Sequence, residues 1–60
     1  MSLESRIKLN NKLQTLQAAR NFHLLTLSYS KNKIERSKAI LSIQKLNFEI
    51  KAVHKELYQS

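Results

Sequence analysis

Between Ala39 and Leu57, apolar residues recur at alternating spacings of four and three: Ala39, Ile43, Leu46, Ile50, Val53 and Leu57. That is the spacing of a heptad seam, a narrow apolar stripe along a helix that packs against another helix. Ile43, Ile50 and Leu57 take the a positions, and Ala39, Leu46 and Val53 the d positions. The same segment carries a second stripe, because Ile34, Leu41 and Phe48 fall at successive f positions and Ala52 lies close to their line. In a two-stranded coiled coil the f positions face water. A helix apolar on both sides predicts two partners.

The chain has 60 residues, so it forms one small domain spanning 1–60. A chain of this size buries only about 60% of the surface its unfolded form exposes, which makes a lone core marginal and association the expected remedy. Other remedies are missing, since without cysteine there is neither a disulfide nor a thiolate metal site. Glycine and proline are absent as well. With them go the commonest helix breakers and the glycine-rich loops that cradle phosphates in nucleotide-binding enzymes.

Ser2 is an expected N-cap and Glu4 suits the positive end of a helix dipole, so the first helix is predicted to start near Leu3. Leu9, Leu13, Leu16 and Leu27 line one side of it, and Leu3, Ile7, Ala18, Phe22, Leu25 and Tyr29 line another. Between them a polar sector holds Ser5, Lys8, Lys12, Thr15, His23 and Thr26, while Arg20 interrupts the leucine line. Burial of Arg20 would call for a glutamate. Ser28 to Lys33 is the one interruption of the helical pattern, and Asn32 with Glu35 reads as a capping box opening a second helix.

The expected fold is therefore all-α: an antiparallel two-helix hairpin, helix about 3–29, turn about 30–32, helix about 33–58, dimerising into a four-helix bundle. Each arm would be about 39 Å long and would set Leu16 against Leu46, Leu13 against Ile50 and Leu9 against Val53. The competing fold is one continuous helix, because the heptad register runs through Ala18, Phe22, Leu25 and Tyr29 before failing at Asn32 and Arg36. In outline the hairpin is similar to small plasmid-encoded RNA-binding hairpins. No residue motif carries over, and no family is assigned.

Eleven Lys and Arg stand against four Glu, for a net charge of +7. That balance points to nucleic acid, an anionic membrane surface or an acidic protein, with solubility alone as the plain alternative. No three basic residues are adjacent, so a basic surface has to be assembled by folding. On the second helix Lys38 and Lys45 flank one side of the outer stripe, and Lys33, Lys51 and Lys55 the other. With Lys8 and Lys12 these are the candidate phosphate contacts. Ile34, Leu41, Phe48 and Ala52 are the candidate oligomer or partner interface. Phe22 and Phe48 are read as packing residues rather than base-stacking ones, and Tyr29 and Tyr58 as ring caps at either end.

Catalytic chemistry finds no footing. His23 and His54 lack ligand partners at helical spacing, the four glutamates are scattered singly, and no serine sits in a triad pattern. No catalytic residue, metal or cofactor is expected. The leading expectation is a non-enzymatic regulator that forms a homodimer and binds structured nucleic acid, RNA included. The alternative is an adaptor, chaperone or inhibitor docking its second stripe on an acidic or amphipathic helix of a larger protein. Membrane binding suits the two-sided pattern less well. The opening residues lack the features of a secretory signal, so a cytoplasmic location is expected.

Overall fold

Ser2 starts the first helix. Its Oγ accepts the Ser5 amide at 3.2 Å, meeting one of the N–H groups that a helix end leaves without a partner. In the computed structural model, which describes residues 2–59, helix α1 runs Leu3–Tyr29 and helix α2 runs Lys33–Tyr58. The two pack against each other as an antiparallel hairpin, so the chain folds back at the turn rather than continuing as a rod.

The turn has no glycine and requires none. Ser30 and Asn32 are extended, at φ −82° and −77°, and no non-glycine residue among those described takes a positive φ. Hydrogen bonds do the shaping. Asn32 Oδ1 accepts the amides of Ile34 at 2.8 Å and Glu35 at 3.3 Å, which is the N-cap read from the sequence. The return half of the capping box differs, because Glu35 does not reach the Asn32 amide. That amide donates to Ser30 Oγ at 3.2 Å, and the Ser30 hydroxyl donates to Glu35 Oε2 at 2.7 Å. A serine relay closes the box.

The last turn of α1 contains no basic residue, and its final carbonyls form the negative end of the helix dipole. Arg36 reaches back from α2 to supply the missing cation. Its Nη1 donates to the Leu27 carbonyl and, at 3.2 Å, to the Ser30 carbonyl. α2 serves its own end, with Lys55 in the last turn and the Gln59 amide donating to the Lys55 carbonyl.

Along the seam, Ala39, Ile50 and Val53 are buried, and Ile43, Leu46 and Leu57 are half-buried. α1 contributes half-buried Leu9, Leu13, Leu16 and Leu27 and no fully buried side chain. The reason lies in its sequence: continuing the spacing from Leu9, Leu13 and Leu16 puts Arg20 and His23 on the seam before Leu27. Both are half-buried, as is Thr26, so the polar sector expected around His23 and Thr26 turns partly toward α2. Arg20 finds an amide instead of a glutamate, its Nη1 donating to Asn47 Oδ1 at 2.9 Å.

The hairpin exposes 4933 Å² at a mass of 7.0 kDa. A compact monomer of that mass exposes about 4,000 Å². The excess is about the area each partner contributes to a standard protein interface, ~800 Å². Among the described residues, no helix is long and apolar enough to cross a membrane.

Candidate nucleic-acid interface

The seam fixes which side chains share a side of the hairpin. Arg6 and Asn10 of α1 line the same recess as His54 and Tyr58 of α2. Farther along, Arg20 meets Asn47, and Arg36 covers the end of α1. Lys33 and Lys51 lie three residues before Arg36 and His54, hence on the same side of α2. One side thus holds all three arginines, two lysines and His54.

The Ser30 to Glu35 hydrogen bond marks the other side. Glu49 and Glu56 follow Glu35 at multiples of seven residues, so all three glutamates share it, and Lys38 and Lys45 lie one turn from this row. Lys12 is 18 residues, five whole turns, before Ser30, and Lys8 is one turn before that. Glu4 stands five turns from Phe22, on the outer edge of α1.

Charge is therefore segregated. The arginine side carries five lysines and arginines and no carboxylate, whereas the glutamate side sets four lysines against three glutamates. Of the seven lysines expected to contact phosphates, Lys33 and Lys51 join the arginine side, and Lys8, Lys12, Lys38 and Lys45 fall among the glutamates. Lys55 stands on the outer edge of α2, where it lines a recess of about 340 Å³ with Phe48, Lys51 and Ala52. Arg6, Arg20 and Arg36 were not among the expected contacts. The signal that picks them out is angular position relative to the seam, not nearness to the outer stripe. From Lys33 to Arg6 the arginine side is about 35 Å long at 1.5 Å per residue, close to one turn of duplex.

The outer stripes are bare. Phe48 is 76% exposed, and Ile34, Leu41 and Ala52 are also exposed, as are Leu3, Ile7, Ala18, Phe22, Leu25 and Tyr29 of α1. On each helix this stripe lies nearly opposite the seam, so the two stripes look away from one another. Among the described residues no three His, Cys, Asp or Glu side chains gather as a metal site would require. Comparison with protein-family models, with curated proteins and with solved structures finds no match.

Proposed function

We propose that this protein is a small non-enzymatic regulator that binds a structured nucleic acid, RNA included, along its arginine side. The observation that carries the reading is the charge segregation: five cations and no carboxylate on one rigid side. Cations held on helices at fixed rise contact phosphates in a set register, and binding gains free energy from released counterions with little base discrimination. Dimerisation belongs to the same proposal. Pairing the outer stripe of α2 with that of a second copy covers Ile34, Leu41 and Phe48 and assembles four helices, with the area excess as its support.

Binding to a duplex should weaken roughly 10²- to 10³-fold between 50 and 200 mM salt, as five phosphate contacts require. Replacing Lys33 and Lys51 by Gln should reduce both the affinity and the salt slope. The same change at Lys8 and Lys45 should do much less. Binding indifferent to salt, or equal losses from the two pairs, overturns the reading.

The recess beside Phe48 supports a second reading. Its apolar floor and Lys51 and Lys55 border suit an acidic amphipathic helix, making the chain an adaptor, chaperone or inhibitor. Sedimentation separates the two. A wild type that self-associates at micromolar concentration, and a Phe48→Asp variant that does not, support the dimer. A wild type that stays a folded monomer moves the assignment to the partner helix.

A further inference from the structure

At the open end of the hairpin, opposite the turn, lies a recess of about 260 Å³ lined by Arg6, Asn10, Leu13, His54, Leu57 and Tyr58. Its composition is specific in kind. Leu13 and Leu57 belong to the half-buried seam and give an apolar floor. Arg6 brings a permanent positive charge and a planar fork of donors, and Asn10 brings both a donor and an acceptor. His54 and Tyr58, one helical turn apart, stack with ring centroids 6.0 Å apart and planes 11° from parallel. Tyr58 is 84% exposed, so the stack ends in a phenol largely open to solvent. None of the six lining residues is a carboxylate.

Each feature excludes a class of ligand. A free phosphate would satisfy Arg6 but has no use for the stacked rings or the leucine floor. An uncharged aromatic would use the rings and leave the guanidinium unanswered. The ligand that uses all of them is planar and aromatic, has a hydrogen-bonding edge, and carries an anion a few ångströms away.

We infer that this recess is a binding site for one unpaired nucleotide, its base stacked on Tyr58 and its phosphate met by Arg6. The inference rests on the proposed nucleic-acid function and deepens it. The recess stands where the arginine side ends, so a duplex whose own end is aligned with the end of that side would present its terminus here. The recognised form is then a duplex with a single-stranded end, and the site reads the presence of an overhang rather than its sequence, because every base has a π face.

The test uses the full chain with two RNA duplexes, one blunt and one bearing a two-nucleotide overhang. Stacking of one base should raise affinity for the overhang form roughly tenfold over the blunt form. That ratio should fall to about one in Tyr58→Ala and persist in Tyr58→Phe, with circular dichroism confirming that both variants remain helical. A ratio near one in wild type, or one that survives Tyr58→Ala, overturns the recess while leaving the arginine side standing. Loss of all duplex binding instead removes the arginine side. The recess is then decided by titrating adenosine monophosphate and inorganic phosphate separately while following the His54 and Tyr58 ring protons by NMR. The nucleotide should shift both rings and phosphate should not; unmoved rings, or equal shifts from phosphate, overturn the site.

Discussion

The two ends of this hairpin are held by different means. Toward the open end the seam is apolar on both helices, with buried Ile50 and Val53 on α2 and half-buried Leu9, Leu13 and Leu16 on α1. Toward the turn the apolar share thins to Ala39 and half-buried Ile43 and Leu27, and polar contacts join them. Arg20 meets Asn47, Arg36 meets the last carbonyls of α1, and Ser30, Asn32 and Glu35 lock the reversal. The difference shows what a short chain without glycine or proline needs in order to turn. Apolar burial sets which faces meet but not where the chain reverses. Directional hydrogen bonds fix the reversal.

Substitutions should separate the two ends, and the largest effect belongs to the apolar one. Ile50→Asp places a carboxylate at a buried seam position, and an unpaired buried charge costs several kcal/mol, comparable with the whole stability of a small domain. The variant should lose most of its helical circular dichroism at 25 °C. A folded Ile50→Asp would show that the seam does not carry the hairpin.

Arg36→Met keeps the methylene stem and removes the guanidinium from the Leu27 and Ser30 carbonyls. The expected loss is about 1.5 kcal/mol, held low because the contact is exposed to water. Amides near residues 27–32 should exchange faster with solvent, while those of 46–57 keep most of their protection. Uniform loss of protection would mean that the two ends unfold as one unit and that the contrast between them is only one of composition.

Asn32→Ala removes the cap of α2 and should cost about 1 kcal/mol. Its effect on exchange should be confined to the first turn of α2. Comparing Asn32→Ala with Ser30→Ala sharpens the point. If the relay through Ser30 contributes, the serine variant should loosen Glu35 and the Asn32 amide together.

The hairpin was legible because its signals are local and periodic. The seam from Ala39 to Leu57, the Ser2 and Asn32 caps, and the lack of aliphatic residues from Ser28 to Lys33 each act within a few residues of chain. The second stripe was legible for the same reason, and Phe48 is exposed in the folded chain as its f position requires. The site was less so. Lysines could be sorted by their distance from a stripe on one helix, but joining Arg6 to His54 or Arg20 to Asn47 needs both helices placed on a common seam. Arg36 was hidden more deeply, because its role depends on a turn tight enough to bring the end of α1 within reach of a side chain on α2.

The outward stripes of α1 and α2, lying back to back across the hairpin, leave the molecule two exposed apolar edges rather than one. If like edges meet, two copies satisfy one edge each and growth stops at a pair. If the edge of α1 meets that of α2 in the next copy, the contact is head to tail, and the same contact is offered again at every free end. Nothing in the arrangement of the stripes caps such a row. Its length is opposed instead by the +7 that every added copy brings, a repulsion that salt screens and a polyanion cancels. In such a row the chain would be a tile whose charge sets how far it extends, and light scattering should rise when salt or a nucleic acid removes that restraint.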